Sequence, residues 1–316
     1  MRKVIGIGET MLDIIFKNGK PIEAVPGGST FNGIVSLGRA GVKTVFVSET
    51  GNDRVGEYVR DFLRDNNVDT SAINVFQETK SPVSLAFLDK DNNADYIFYR
   101  DQKHDHMDFA YPDIQKDDIV VFGSFYAVNP ALRPQVSGLL EYARQRGAII
   151  YYDVNFRPSH RGDVMRATPN LIENLEFADI VRGSRDDFNV VYKIDDADKA
   201  YNAEISFYCK RFIYTDGEHP TVVFSDGHMR KEYATPKTET VSTIGAGDNF
   251  NAGLIYAMLR NNIRRADIER GLTEQQWDSM VKSAQMFSAD CCKDIFNYVS
   301  KDFGKKLDAF KEEGCL

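Results

Sequence analysis

Short apolar runs alternate with amphipathic stretches along most of this 316-residue chain. The runs have the composition of buried β-strands, and the stretches between them carry apolar residues at the three- and four-residue spacing of a helix. Repetition of strand, helix and strand predicts an α/β fold with a mostly parallel sheet covered on both faces. The predicted strands are residues 4–7, 44–47, 119–122, 148–152, 180–182, 212–215 and 221–224, and the predicted helices are residues 31–40, 55–66, 134–145, 197–209 and 274–292.

Two segments depart from this rhythm, at residues 13–25 and 75–99. In the second, the apolar runs 83–88 and 96–99 flank the turn Asp91-Asn92-Asn93, which is typical of a hairpin. We therefore expect an antiparallel patch outside the main sheet, serving as a lid or a dimer surface. An exposed antiparallel edge such as residues 83–88 favours pairing with a second copy.

Composition excludes several classes of protein. The net charge of -8 and pI near 5.3 argue against a nucleic-acid surface, which needs clustered Lys and Arg. No run of about 20 apolar residues exists to span a membrane. Glu9 and Asp13 interrupt the apolar amino terminus, which we interpret as a buried strand rather than a secretory signal. Four cysteines without metal-ligand spacing fit a reduced, cytoplasmic compartment.

A glycine-rich turn, Gly245-Ala246-Gly247-Asp248, precedes a predicted helix at residues 251–260. Its nearly side-chain-free amides would let an anion approach closely at the positive end of the helix. A carboxylate there would repel a phosphate unless it had another task, and accepting a proton from an attacking hydroxyl is such a task. Asp248 is therefore a candidate base, although complementing the helix dipole would also explain it.

Two more segments place polar groups beside predicted strand ends. Gly27 and Gly28 precede a helix that Ser29 or Thr30 would cap. Asn32, together with Asp13 at the end of the first strand, would offer donors and acceptors to a polyhydroxy ligand. Farther along, Asp153, Asn155 and Arg157 follow an apolar strand, and alternation would put them on one side, where open α/β sheets bind ligands. Taken alone, residues such as those at Gly27 are more often a turn or a cap, and the Asp153 segment is equally explained as a solvated loop with a local ion pair.

Other motifs fail on inspection. Gly6-Ile7-Gly8 suggests a dinucleotide fold, but Met11 stands where its third glycine belongs. Two pairs of glycines, Gly33 with Gly38 and Gly51 with Gly56, have the spacing of a P-loop. Arg39 and Glu57 stand where the P-loop lysine would follow, so neither segment is a P-loop. His104-Asp105-His106 is interpreted as a polar loop rather than a metal site, because no cysteine lies nearby.

In this order, the pieces resemble those of the ribokinase-like, or PfkB, family of carbohydrate kinases over essentially the whole chain. A match to one piece would be easy by chance, whereas a match to all in order is specific. They are Gly8-Glu9 with Asp13, Gly27-Gly28 with Asn32, Gly51-x-Asp53-x-x-Gly56, Phe98-Tyr99-Arg100, Asp153-x-Asn155-x-Arg157, Thr215-x-Gly217 and Gly245-Ala246-Gly247-Asp248.

The resemblance implies a single domain over residues 1–316, a three-layer α/β/α sandwich with a small antiparallel β lid inserted at about residues 13–25 and 75–109. It also implies ATP, Mg²⁺ and transfer of a γ-phosphoryl group to a primary alcohol of a sugar. The implied site comprises the base Asp248 and an anion hole of Gly245, Ala246 and Gly247; the sugar-site residues Asp13, Gly27, Gly28, Asn32 and Arg100; Asn155 and Arg157 between the two substrates; Ser184, Thr215 and Gly217 with Gly245 and Gly247 at the nucleotide; and Asp187 holding the metal through water.

Fructokinases and 2-keto-3-deoxygluconate kinases are the members that these segments resemble most. Fructose is the first expectation, and ribose and nucleosides rank behind both. Arg100 could pair with the carboxylate of a keto-deoxy acid, but both subgroups carry such an Arg.

Three positions depart from the family pattern. Ser242 replaces an Asp near the usual monovalent-cation position, so the resemblance leaves open whether this chain uses K⁺. Ser184 and Asp187 stand for the Asn and Glu that order the metal's water shell, and Pro220 replaces a glycine on the adenine side. These departures motivate an alternative hypothesis, a sugar- or nucleotide-binding protein without efficient chemistry.

Overall fold

The computed structural model describes residues 2–90, 94–100 and 111–312. The predicted turn at residues 91–93 and the His104-Asp105-His106 segment lie outside the described residues.

The described chain alternates strands and helices. The strands are β1 (Val4–Ile7), β2 (Met11–Lys17), β3 (Lys20–Gly27), β4 (Thr44–Gly51), β5 (Val68–Asp69), β6 (Ile73–Phe76), β7 (Val83–Leu88), β8 (Ala94–Tyr99), β9 (Ile119–Gly123), β10 (Ile149–Asp153), β11 (Ile180–Ser184), β12 (Arg211–Thr215), β13 (Thr221–Ser225) and β14 (Met229–Tyr233). The α-helices are α1 (Ser29–Arg39), α2 (Arg54–Asp65), α3 (Ser124–Val128), α4 (Arg133–Gln145), α5 (Val164–Phe177), α6 (Arg185–Tyr192), α7 (Ala197–Ala200), α8 (Ala246–Arg260), α9 (Arg265–Arg270), α10 (Glu274–Cys291) and α11 (Phe303–Glu312).

The chain divides into two compact units, and unit 1 contains residues 1–7, 113–237 and 254–282. Its sheet has the order β14-β13-β12-β11-β10-β9-β1. Strands β1, β9, β10, β11 and β12 are neighbours in this order and pair in parallel. At the edge, β13 pairs antiparallel with β12 and β14 pairs antiparallel with β13. Every residue of β9 and β10 is buried, as expected for parallel strands covered on both faces.

Unit 2 contains residues 8–112, 238–253 and 283–316. Its strand β4 pairs in parallel with β5 and β6, and helices α1 and α2 belong to the same unit. The rings of Phe31 and Phe46 meet edge to face at 5.7 Å in its core. Gly38 lets α1 approach the chain after α2, because a Cβ there would lie 2.1 Å from the carbonyl oxygen of Asn66.

A second sheet of unit 2 has the order β3-β2-β7-β8 and corresponds to the predicted lid. Its β2–β3 and β7–β8 pairs are antiparallel, and its β2–β7 pair is parallel. Alternation buries Asp13 and Ser84 on one face, while Ile97 and Tyr99 on the other face are 46% and 58% exposed. The prediction that residues 83–88 form an exposed edge is wrong, because β7 lies between β2 and β8.

All seven predicted strands are present, and β1 has the predicted bounds. The helical segment predicted at residues 197–209 is shorter in the structure. It consists of α7 and a π-helical turn, Tyr201–Ile205, that directly follows it. Asp13 belongs to the second strand rather than to the end of the first. The predictions omitted β14, whose residues have intermediate or exposed side chains, and α5, which contains Pro169.

Candidate active site

Helix α8 begins at the glycine-rich turn rather than at residue 251 as predicted. The amide of Asn249 donates to the Gly245 carbonyl at 2.9 Å, closing the first helical turn around Ala246 and Gly247. Gly245 has a φ of 77°, and a Cβ on it would lie 2.7 Å from the carbonyl oxygen of Asn297. Backbone conformation and space both require glycine there. The turn thus places the N-terminus of a helix, the arrangement that binds anions, at this point. The Ala246 amide itself donates to the Thr243 carbonyl at 3.1 Å, so it already has a partner.

Asp248 lies in the first turn of α8 and is 6% exposed. Its Oδ1 accepts a hydrogen bond from Ser29 Oγ at 2.9 Å, and its Oδ2 accepts one from Asn32 Nδ2 at 2.8 Å. Both donors come from the first turn of α1. The helices can approach because Gly33 carries no Cβ, which would lie 3.1 Å from the Asp248 carbonyl oxygen. The candidate base therefore has both oxygens oriented by fixed donors.

Asp13 and Asn32 meet at Gly27. A Cβ on Gly27 would lie 2.8 Å from Asp13 Oδ2 and 3.7 Å from Asn32 Oδ1. Ser84 donates to Asp13 Oδ1 from the neighbouring strand. Asn32 Oδ1 is buried and has no hydrogen-bond partner among the described residues. Gly27 thus lets the Asp13 carboxylate approach its backbone closely, and polar atoms of Asp13, Asn32 and Asn297 converge there, a set that suits a ligand rich in hydroxyl groups.

Gly28 shapes the start of α1. It has a φ of 136°, and a Cβ would lie 2.4 Å from the carbonyl oxygen of Glu9. It is the N-cap residue and provides no side-chain cap, so the prediction that Ser29 or Thr30 caps the helix is wrong. Ser29 is the first helical residue, and its hydroxyl contacts Asp248 instead.

Arg100 is paired within unit 2. Its Nη2 lies 2.6 Å from Glu9 Oε2, and its Cζ lies 5.4 Å from the centroid of the Phe98 ring. Glu49 adds a second carboxyl group: burial raises its pKa to about 7, the nearby Arg100 charge opposes the rise and the Glu9 charge adds to it. Its Oε2 is buried without a hydrogen-bond partner in the described part of the chain. Arg100 therefore does not present an isolated positive charge.

The remaining predicted site residues belong to unit 1. Strand β10 ends at Asp153, and Asn155 has a φ of 35°, so the predicted alternation of residues 153, 155 and 157 does not continue past the strand. Asp153 is buried and accepts a hydrogen bond from Arg182 Nη1 at 3.0 Å. Arg157 is the residue immediately before a 3₁₀ turn, Pro158–Asp163.

The candidate metal-binding segment forms a helix cap. Ser184 and Asp187 make a capping box at the start of α6, and Asp187 Oδ2 accepts from the Ser184 amide at 2.6 Å. The other oxygen, Oδ1, accepts from the Phe156 amide at 2.7 Å. Burial raises the pKa of Asp187, and the Arg182 charge opposes that rise. Asp187 thus has a structural role at the start of α6, and its role at the metal stays a prediction.

Thr215 and Gly217 follow at the end of β12. Thr215 Oγ1 accepts from Arg182 Nη2 at 2.5 Å, which links this strand end to Asp153 through one guanidinium. Gly217 has a φ of 55°.

Among the described residues, no group of three or more His, Cys, Asp or Glu side chains is placed to hold a metal ion. Searched over the same residues, the chain has no helix able to cross a membrane.

Several residues of the site were not predicted as such. They are Ser29 and Ser84, which donate to Asp248 and Asp13, the buried Asn297 beside Gly245, and Glu9 and Glu49 beside Arg100. The position of Ser29 next to Gly28 was a usable signal. Ser84 depends on the register between β2 and β7, which the local sequence does not determine.

A family profile described as pfkB family carbohydrate kinase matches residues 1–274. This chain belongs to that family. As a pfkB-family kinase it is a phosphotransferase with an alcohol group as acceptor, which confirms the predicted enzyme class.

Individual relatives of this pfkB-family chain agree. The 5-dehydro-2-deoxygluconokinase of Geobacillus thermodenitrificans is 26% identical over 246 residues, which cover 74% of this chain and 72% of that protein. Two solved structures share the fold of this chain, each at 19% identity and a TM-score of 0.81. Aminoimidazole riboside kinase from Salmonella enterica matches 98% of this chain and 99% of its own, and fructokinase from Vibrio cholerae matches 94% of each. The predicted ribokinase-like fold is confirmed.

Proposed function

We propose that this kinase transfers the γ-phosphoryl group of ATP to a primary hydroxyl of a sugar, with Asp248 as the base. The observation that carries the proposal is the fixing of both Asp248 oxygens by Ser29 and Asn32, beside the polar groups that converge at Gly27. A carboxylate that only complemented the helix dipole would not need two donors from another helix.

The chemistry follows from these groups. The sugar hydroxyl oxygen forms a bond to the γ-phosphorus while the bond from that phosphorus to the ADP oxygen breaks. Asp248 takes the hydroxyl proton. The turn of Gly245, Ala246 and Gly247 supplies the positive helix end and the amides of its two glycines, which stabilise the negative charge on the transferring group.

Fructose is the sugar that we propose first. Support comes from Arg100, because its pairing with Glu9 offsets the charge that would attract an acidic sugar. A fructokinase is also among the proteins of the same fold. The second candidate is a keto-deoxy acid such as 2-keto-3-deoxygluconate, which the kinship to a 5-dehydro-2-deoxygluconokinase favours. Ribose and nucleosides rank third, and the shared fold of an aminoimidazole riboside kinase keeps them in consideration.

For the second substrate we propose that Ser184, Thr215 and Gly217 line the ATP site, and that Asn155 and Arg157 lie between the substrates. Mg²⁺ would accompany ATP as its counter-ion, with a water of its shell held by Asp187. The two oxygens of Asp187 accept three hydrogen bonds from its neighbours, so a carboxylate lone pair remains for that water. Mg²⁺ would supply positive charge that offsets the negative charge of the phosphates.

We propose one catalytic domain over residues 1–316 that forms a homodimer through the exposed face of the lid sheet. That face carries Leu85, Phe87, Ile97 and Tyr99, and the last three are at least 38% exposed. Exposed apolar patches of this kind mark association surfaces. Sedimentation of an Ile97→Lys variant tests this proposal, and we expect the dimer to dissociate in that variant.

The buried free thiols of Cys209, Cys291 and Cys292 support a reducing, cytoplasmic location.

A coupled assay of ADP release over fructose, ribose, 2-keto-3-deoxygluconate, tagatose and adenosine tests the function. We expect ADP release that depends on the sugar, with the highest kcat/KM for fructose. Calorimetric binding of a sugar without any ADP release would favour the alternative, a binding protein without transfer.

A further inference from the structure

Asn249, the residue after the candidate base, is fully buried at the centre of a hydrogen-bond network. Its Nδ2 donates to the carbonyl oxygens of Gly245 at 2.8 Å and Asn297 at 2.9 Å. Its Oδ1 accepts from Ser36 Oγ at 2.5 Å, and Ser36 Oγ in turn accepts from the Val299 amide at 3.1 Å. The surroundings fix the orientation of the side-chain amide, because the reverse orientation would place its oxygen against two carbonyl oxygens.

The Asn249 amide therefore joins three parts of unit 2. One is the anion turn at Gly245, the second is the segment at Asn297, and the third is helix α1 through Ser36. Helix α1 is also the helix that holds Asp248 through Ser29 and Asn32. The base and the turn are thus positioned from the same helix.

A buried thiol strengthens the same connection. Cys291 Sγ lies 3.5 Å from the Ile244 carbonyl oxygen and 3.7 Å from that of Phe296. Burial raises the pKa of the Cys291 thiol well above its usual value, so the group remains an S–H donor. Ser242, where the family carries a carboxylate, accepts from the Ile244 amide at 3.2 Å.

These contacts do not suit a monovalent cation. A cation needs several oxygen atoms with lone pairs directed at one point, and a carboxylate usually strengthens such a site. Here N–H and S–H donors are directed at the carbonyls of the two segments, and the residue in place of the carboxylate is a neutral hydroxyl. Donor hydrogens carry positive partial charge and would repel a cation that approached the same oxygens.

We propose that Asn249 is a positioning residue: hydrogen bonds from its side-chain amide and from the Cys291 thiol hold the anion turn in place of a bound cation. This kinase therefore does not depend on monovalent cations. The inference rests on the proposed sugar-kinase function for its activity readout.

The first experiment compares wild-type ADP release from ATP and fructose in KCl, NaCl and tetramethylammonium chloride at equal ionic strength. We expect kcat values within about twofold and an unfolding midpoint that K⁺ does not shift. Activation by K⁺ of about tenfold or more, or a midpoint that rises with K⁺ and not with tetramethylammonium, would overturn the proposal. Absence of ADP release with every sugar would instead refute the proposed function, and the midpoint would still test the cation claim.

The second experiment replaces Asn249. In Asn249→Ala we expect kcat to fall about tenfold to a hundredfold with the fructose KM within about threefold, since the turn and not the sugar pocket is disturbed. K⁺ should restore part of this kcat, because two carbonyls have lost their donor. Asn261→Ala, at the exposed residue that follows the end of α8, is the matched control. An unchanged kcat in Asn249→Ala would contradict the positioning role, and if that variant does not fold, the wild-type cation series decides.

Discussion

Asn32 holds Asp248 by a hydrogen bond of 2.8 Å from its Nδ2 to the Asp248 Oδ2, although the two residues are 216 positions apart. The other polar side-chain atom of Asn32, Oδ1, lies 3.7 Å from the position that a Cβ on Gly27 would occupy, next to Asp13. One side chain therefore contacts both the candidate base and the candidate sugar pocket.

Asn32→Ala removes both contacts, whereas Ser29→Ala removes only the bond to Asp248. We expect Asn32→Ala to lower kcat and to raise the fructose KM, each by about tenfold, because an interaction with a charged group and one with the sugar are lost together. Ser29→Ala should lower kcat by about tenfold and leave KM unchanged. Steady-state kinetics of the two variants test this, and a rise in KM in Ser29→Ala would contradict it.

Gly27→Ala tests the sugar pocket. A methyl group there would lie 2.8 Å from Asp13 Oδ2 and would displace this carboxylate, which we assign to the sugar site. We expect kcat/KM for fructose to fall about tenfold to a hundredfold, since displacing reactive groups even slightly is costly. Gly162→Ala is the matched control, because its Cβ would have no neighbour within 4 Å. Equal kinetics for the two variants would show that the space beside Gly27 is not the sugar pocket.

Glu9→Gln tests the charge at Arg100. The substitution keeps the shape of Glu9 and removes the negative charge 2.6 Å from the guanidinium. We expect the ratio of kcat/KM for 2-keto-3-deoxygluconate to that for fructose to rise about tenfold, because Arg100 becomes available to a carboxylate. Glu57→Gln, on the exposed side of α2, controls for the loss of one charge. A ratio that stays at the wild-type value would mean that Glu9 does not determine this preference.

Glu49 makes stability depend on pH. Its pKa is about 7 in the folded protein against an ordinary value of 4.5, so the folded protein binds this proton more tightly than the unfolded chain. Stability therefore falls as pH rises from about 4.5 to about 7 and the loss stays constant above that range. Arg100 and Glu9 are the charged groups that act on it. Relative to wild type, Glu49→Gln should be about 1 to 3 kcal/mol more stable at pH 8 and nearly equal at pH 5.

Urea denaturation of both proteins across that pH range measures this difference. Glu57→Gln again controls for charge. Parallel stability curves for wild type and Glu49→Gln from pH 5 to pH 8 would rule out the assigned titration.

Local sequence predicted the strands of this fold well, because buried parallel strands are short apolar runs with recognisable limits. It also predicted that Gly27, Asn32 and Asp248 serve one site, since the order of the motifs is specific to the family. The structure then brought Asn32 and Asp248 into contact.

Contacts between distant segments were not predictable in the same way. Ser84 contacts Asp13 only because β2 and β7 pair in a particular register. Asn249 can connect the turn to the segment at Asn297 only because tertiary packing brings the Asn297 carbonyl within hydrogen-bond distance. Alternation failed after Asp153 because the strand ends there and Asn155 adopts a positive φ. Periodicity describes regular elements, whereas these features depend on where the elements end and on tertiary packing.

The most direct measurement of the central claim compares sugar-dependent ADP release by wild type and Asp248→Asn, with circular dichroism to verify folding and with Asp61→Asn, on the exposed side of α2, as the charge control. The account predicts that Asp248→Asn lowers kcat by about two to four orders of magnitude while Asp61→Asn retains wild-type activity. A folded Asp248→Asn variant with wild-type kcat would contradict the assignment of Asp248 as the base.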